Sequence, residues 1–140
     1  MKRTLGVCYY PEHWPEDQWA SDAAQMVATG LSWVRIAEFG WQRMEPAPGT
    51  FDWGWLDRAI NVLGDAGLRV VLGTPTATPP RWMLDKMPDM LPVDATGTPR
   101  TFGSRRHYDF SHLAYRCEAR RIARLMAERY GRHPHVHAWQ

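Results

Sequence analysis

Four short apolar runs, starting near residues 5, 33, 69 and 136, punctuate the chain, and the segments between them carry apolar residues at helical spacing. Leu5, Val7, Tyr9 and Tyr10, with Gly6 and Cys8 between, predict a strand over 5–10 that Pro11 stops. Pro15 stands at a first helical position, and Glu16 and Asp17 behind it suit a helix N-terminus. Trp19, Ala23, Met26 and Val27 then supply a buried face, and Gly30 ends the helix. Trp33, Val34, Ile36 and Ala37 predict a second strand, with Arg35 as its polar exception. After a loop with Pro46, Pro48 and Gly49, Asp52 is placed to cap a helix whose face is Leu56, Ala59, Ile60 and Leu63. Gly67 closes that helix, and residues 70–72 read as a third strand.

Residues 73–110 break this rhythm. They hold Pro75, Pro79, Pro80, Pro88, Pro92 and Pro99, and read as a long irregular loop. Trp82, Phe102 and Tyr108 within it favour an ordered active-site loop over a linker. Ser111 is placed to cap a third helix with Ala119, Ile122, Ala123 and Met126 on its inner face and Gly131 as its stop. Residues 136–140 begin a fourth strand.

The order β-α-β-α-β-α-β predicts an α/β fold with a parallel sheet and crossover helices. No Gly-x-Gly-x-x-Gly follows the first strand, so a dinucleotide-binding fold has no motif support. Chemistry-bearing residues instead crowd just after each strand: Tyr10, Glu12 and His13, then Glu38 and Trp41, then Thr74 onward. In a (β/α)8 TIM barrel that is the catalytic rim. A barrel takes about 250 residues. Residues 1–140 are therefore expected to be one N-terminal part of such a barrel, about three and a half βα units, belonging to a longer protein.

Composition narrows the partners. Lys and Arg number 17 against 15 Asp and Glu, a net charge of +2, which gives no support for nucleic-acid binding. No run approaches the roughly 18 apolar residues of a membrane span, and no apolar stretch follows Lys2 and Arg3 as in a signal peptide. A cytoplasmic protein with no membrane partner is the expectation. Cys8 and Cys117 are the only cysteines, too few for a disulfide scaffold, and read as buried small apolar residues. Eight Trp in 140 residues imply a sizeable core, a ligand cleft, or both. Trp19 and Trp33 read as core, and Trp53 and Trp55 as packing beside the second helix.

Longer motifs add a resemblance. The strings at 9–15 (YYPEHWP), 35–41 (RIAEFGW), 45–46 with 51–53, 74–82 (TPTATPPRW), 103–108 (GSRRHY) and 135–140 (HVHAWQ) closely resemble the start of glycoside hydrolase family 42 β-galactosidases, in order and at family-like spacing. The resemblance implies a retaining β-galactosidase that hydrolyses terminal non-reducing β-D-galactosyl residues on a (β/α)8 barrel. It implies a β-galactoside as partner, no cofactor, and a homo-oligomer, commonly a trimer. In that family the acid/base glutamate follows the Trp-Gln of the fourth strand in an Asn-Glu pair, near position 144 here, and the nucleophile lies on a much later strand. No residue of 1–140 is therefore expected to be catalytic, and the segment alone is expected to be inactive. The alternative is a non-catalytic galactoside-binding or degenerate barrel piece.

What the segment would supply is substrate-binding wall. Arg106 matches the family arginine that hydrogen-bonds galactose beside the cleaved bond, and a guanidinium fork suits sugar hydroxyls. Arg105 beside it is ambiguous. Glu38 is read as pairing with Arg35 or Arg106, or as touching sugar. Tyr10, His13, Trp41 and Trp82 either line the cleft, where aromatic faces pack on the C–H face of a sugar, or pack the rim. His133, His135 and His137 would share one face of an extended strand, a spacing that could serve zinc, but Pro134 and the resemblance favour ordinary barrel structure. Some family members carry a zinc-binding cysteine directly after the Arg-His-Tyr step; Asp109 stands there instead and argues against that cluster.

Overall fold

The computed structural model describes residues 3–103, 105 and 107–140. Among these, β1 (Leu5–Cys8), β2 (Leu31–Ile36), β3 (Arg69–Leu72) and β4 (Val136–Trp139) form one four-stranded sheet in the order β1-β2-β3-β4. All three pairings are parallel. The connecting helices are α1 (Trp19–Ala28), α2 (Trp41–Met44), α3 (Gly54–Asp65), α4 (Arg81–Lys86) and α5 (Leu113–Tyr130). Sequential strand order with helical crossovers is the arrangement of the first three and a half βα units of a (β/α)8 barrel.

The period-2 pattern sorts each strand's residues onto two faces. Val34, Ile36, Val70 and Leu72 are wholly buried against the helices. They join Trp19 and Ala23 of α1, Leu56, Ala59, Ile60 and Leu63 of α3, and Met126 and Tyr130 of α5 in one core. Burying each large aliphatic side chain contributes about 1.5–3 kcal/mol, which holds the helices on this face. Val27 stays exposed and Met26 half-buried, so the α1 face is narrower than its apolar spacing predicts. Gly30 ends that turn in the left-handed region at φ 86°, with its N–H donating to the Val27 carbonyl at 2.9 Å.

The opposite sheet face is sparsely covered. The register sets Gly6 beside Trp33, Cys8 beside Arg35, and Trp33 beside Arg69. Trp33 is only half-buried, with the Arg69 guanidinium 5.3 Å from its ring centroid and the His137 ring edge-on at 6.0 Å. The expectation of a core Trp33 is corrected to a side chain on this open inner face. Cys8 lies on the same face and is exposed, as is Cys117 on α5. The expectation that both cysteines are buried is overturned, because neither β1 nor the outer side of α5 is covered by another described element.

Residues 73–110 are ordered by a second core: Trp41, Met83, Leu84, Met90, Tyr108, Tyr115 and Ile122. This stretch contains α4, which the sequence reading took as loop. Pro80 precedes its first turn, where a missing N–H is harmless, and Met83 and Leu84 bury its inner side. The start of α5 also differs from expectation. His112, not Ser111, is the cap, its Nδ1 accepting from the Tyr115 N–H at 3.2 Å. Asp109 closes the preceding turn by accepting from the Ser111 N–H at 2.8 Å. Asp52 similarly accepts from the Gly54 N–H at 3.1 Å, one residue ahead of the Trp53 cap position.

Candidate functional site

The C-terminal ends of β2, β3 and β4 converge on one hollow. It measures about 220 Å³ and is lined by Glu38, Thr74, Thr76, Ala77, Arg105, Tyr108, Phe110 and Gln140. Its base is set by an abrupt turn after β2. Ala37 adopts φ 75°, a left-handed conformation that costs a non-glycine residue about 1–2 kcal/mol, and this turns the chain so that Glu38 follows directly. Gly73 closes up beside it, its N–H donating to the Ile36 carbonyl at 2.9 Å. A methyl at Gly73 would stand 3.2 Å from the Glu38 Cα and 3.3 Å from its backbone N, so only glycine lets β3 approach this turn without displacement.

Glu38 is 4% exposed, yet both carboxylate oxygens are engaged. Arg35 Nη2 donates to Oε2 at 2.7 Å, and Arg105 Nη2 donates to Oε1 at 2.7 Å. The first partner is local, three residues back on β2. The second comes from the long loop and ties it to the sheet. Charge-assisted bonds of this length are the strong class. Around the pair, Thr74 Oγ1 donates to the Gln140 carbonyl at 3.3 Å, and Tyr115 of α5 donates its hydroxyl to the Thr76 carbonyl at 2.7 Å. Burial pushes the Tyr115 hydroxyl pKa up, so it remains a donor at neutral pH. Tyr115 also packs on Tyr108, ring centroids 4.2 Å apart. The wall is thus charge, hydroxyl and amide groups backed by aromatic packing, which is chemistry suited to a polyhydroxylated ligand.

The sequence-expected residues divide. Glu38 lies in the hollow with the expected Arg35 partner. Tyr10 and His13 are not among the residues that line it: Tyr10 lines a separate depression with Cys8, Tyr9 and Trp14, its ring centroid 5.3 Å from that of Phe39, and exposed His13 stands 5.7 Å from Tyr10. Arg106 lies outside the described residues. Trp41 does not line a cleft: it is 0% exposed in the second core, and its Nε1 donates to Glu45 at 3.0 Å. Trp82 belongs to a different depression with Glu45, Lys86, Glu118 and Arg121, where its Nε1 donates to the Glu45 carbonyl at 2.9 Å. Both tryptophans therefore hold the rim from behind. Arg105, Thr76 and Tyr108 were not singled out as site residues. Arg105 carried a signal, its place beside Arg106, but its partner lies 67 residues away.

The histidine triplet does not share a strand face. The strand begins only at Val136, so His133 and His135 lie in the preceding turn and His137 alone is on β4. His135 meets Asp65 at 3.1 Å at the far end of α3. Among the described residues no group of three or more His, Cys, Asp or Glu could hold a metal ion. No described helix is long and apolar enough to cross a membrane.

A parallel sheet with helices packed on one face, and a polar hollow at its C-terminal strand ends, defines a barrel-type α/β protein with its site where barrel enzymes carry theirs. The chain belongs to the β-galactosidase family glycoside hydrolase 42, whose pattern matches residues 8–140. It is 62% identical over 127 residues to a β-galactosidase of Thermus thermophilus, covering 91% of this chain and 20% of that protein. It is 54% identical to β-galactosidase Bga of Halorubrum lacusprofundi, covering 97% and 19%. The crystal structure of a β-galactosidase from psychrophilic Marinomonas ef1 superposes with a TM-score of 0.95 at 54% identity, covering 99% of this chain and 21% of that one. The chain thus spans about a fifth of the length of the relatives it matches.

Proposed function

We propose that residues 1–140 form the opening part of the catalytic barrel of a retaining β-galactosidase, and that the Glu38 hollow is part of the wall receiving a terminal non-reducing β-D-galactosyl residue. The observation that carries this is a buried carboxylate held between two guanidiniums at the strand ends, ringed by hydroxyl groups, in a chain of this family. Arg106, adjoining Arg105, is the residue we assign to galactose hydroxyls, with Glu38 fixing the arginine-bearing loop and Tyr10 and His13 extending the wall. Trp41 and Trp82 contribute by packing.

A retaining mechanism needs two carboxylates about 5–5.5 Å apart, one as nucleophile and one as acid/base. Glu38 has both oxygens committed to arginines, which is the arrangement of a positioning group. The reading therefore draws both catalytic carboxylates from outside residues 1–140, the acid/base from an Asn-Glu pair soon after Gln140. The chemistry then asks of this segment only orientation. A rigid fork on the galactosyl hydroxyls holds the anomeric carbon in line with the nucleophile. The same reading makes the protein cytoplasmic and a homo-oligomer, with a β-galactoside as its partner and no nucleic acid or membrane.

The test is hydrolysis of a chromogenic β-galactoside by the complete gene product, with the anomer released first followed by NMR. Hydrolysis with β-galactose released first is expected. Absence of hydrolysis, or release of the α anomer first, would overturn the reading.

A further inference from the structure

The outer side of α5 carries a charge pattern that the Glu38 hollow does not use. Ile122 and Met126 of this helix turn inward to the two cores. On its outward side Cys117, Arg120, Arg121 and Arg124 follow at i, i+3, i+4 and i+7, the spacing that brings side chains onto one helix face. Together they line a depression of about 310 Å³. The short Cys117 side chain leaves the space, and three long guanidinium side chains wall it. Barrel helices form an outer ring, so this face points away from the strand-end site.

No carboxylate is among the lining residues. Arg121 is held in place from the side: its Nε donates to Glu118 at 2.7 Å and its Nη2 to both Glu45 oxygens at 2.8 Å. Its Nη1 has no acceptor among the described residues, so one arm of the fork is left to offer. Arg124 meets Glu128 at 3.5 Å, but these side chains are 74% and 62% exposed, and such a pair contributes little. Arg120 is exposed and makes no ion pair among the described residues, and the same holds for Arg116 one turn earlier. Arg116, Arg120 and Arg124 thus stand at successive i, i+4 steps, where like charges destabilise a helix. An anion seated among them offsets that repulsion.

The lining also selects the kind of anion. Guanidinium forks give paired N–H donors to neighbouring oxygens, which suits a tetrahedral oxyanion. The depression holds no aromatic ring on which a nucleobase could stack and no apolar anchor for a protein segment.

We infer that this depression on the outer face of α5 is a phosphate-binding site: it takes a phosphoryl dianion, free or as a phosphate ester, between the guanidiniums of Arg120, Arg121 and Arg124. The inference stands apart from the β-galactosidase reading, since none of these residues belongs to the Glu38 hollow.

The test uses the complete gene product and reads Cys117 itself. Its labelling by iodoacetamide at neutral pH is followed by peptide mass spectrometry, in sodium phosphate and in sodium chloride of equal ionic strength. An anion seated over the thiol slows labelling by the factor 1 + [L]/Kd, so about 10 mM phosphate is expected to slow it about tenfold at a Kd of about 1 mM. Equal rates in the two salts would overturn the site. So would a Cys117 unreactive in both, which would show this face covered by another part of the protein. In the double variant Arg120→Gln, Arg124→Gln the protection is expected to disappear while the circular dichroism spectrum stays unchanged. Protection that persists in this variant would overturn the assignment to these arginines. A hexose 6-phosphate in place of phosphate separates the two sources: stronger protection assigns the site to an ester, equal or weaker protection to the free ion.

Discussion

Two glutamates in this molecule solve the same problem in opposite surroundings. Glu45, at 0% exposure, accepts from Trp41 Nε1 at 3.0 Å, from the Gly49 N–H at 2.8 Å and from Arg121 Nη2 at 2.8 Å to each oxygen. Arg121 in turn holds Glu118 on its own helix. This joint locks the loop after β2 onto α5, and each carboxylate oxygen is used internally. Glu38 is nearly as buried, but its Arg105 partner is 56% exposed at the side chain and stands over open space. The first arrangement ties two elements together, with Arg121 30% exposed at its side chain beside the Trp82 depression. The second leaves its guanidinium facing a hollow, held in place but not consumed. Carboxylate–arginine pairing alone therefore does not mark a site; the exposure of the arginine separates the two cases.

Breaking the closed joint should have the largest effect. Glu45→Ala strands the Trp41 indole N–H in the core and severs the pair with Arg121, and a loss of about 3 kcal/mol is expected, at the low end for a severed buried pair because Arg121 keeps Glu118. Chemical denaturation measures this, and a loss no larger than that of Glu38→Gln would erase the contrast. Gly73→Ala should follow. Its methyl meets the Glu38 backbone, which cannot rotate away, so overpacking of about 1–3 kcal/mol is expected in the same assay. Glu38→Gln should cost stability less, about 1 kcal/mol, because Arg105 returns to water. Its main consequence should fall on KM for β-galactosides, with Glu38→Asp intermediate. A variant that lost stability but kept its KM would assign Glu38 to folding alone.

The smallest effect concerns a third glutamate. Neither carboxylate oxygen of Glu12 has a hydrogen-bond partner among the described residues. Burial raises its pKa above the ordinary carboxylate value, against the lowering pull of its own backbone, His13 and Arg43. A carboxyl raised in the folded state holds its proton longer there than in the unfolded chain. Its contribution is complete at low pH and is lost as pH rises through the folded-state value. Stability should therefore decline as pH rises above the carboxylate range, and Glu12→Gln should flatten that decline. Melting temperatures from pH 4 to 8 would show it; identical profiles would place the Glu12 carboxyl in contact with solvent.

Much of the fold was legible in the chain because periodicity is local. The strands, the α3 face at Leu56, Ala59, Ile60 and Leu63, and the parallel order all follow from spacing alone. The helix α4 was not, because Pro79-Pro80 reads as a breaker and six residues are too few to show a period. The site was legible only in part. Glu38 and Arg35 are three residues apart, so their pairing could be anticipated. Arg105 reaches Glu38 through a loop whose path depends on a second core, and no local pattern encodes that. Trp41 misled because indoles serve clefts and cores alike, and the deciding fact, the Glu45 acceptor beneath it, is tertiary.

The cap of α5 carries a restriction on inheritance. His112 accepts from the Tyr115 N–H through Nδ1, while its Nε2 lies 3.2 Å from an Asp89 oxygen. A carboxylate can only accept, so the ring must hold one proton, on Nε2, to serve both neighbours. Asp89 is correspondingly held below its ordinary pKa by that bond. Serine or aspartate at 112 could start the helix but could not reach and donate to Asp89. Lysine could reach it but could not cap. The position thus has a vocabulary of very few side chains, and the same word also sets Tyr115, whose hydroxyl fixes the Thr76 carbonyl at the edge of the Glu38 hollow.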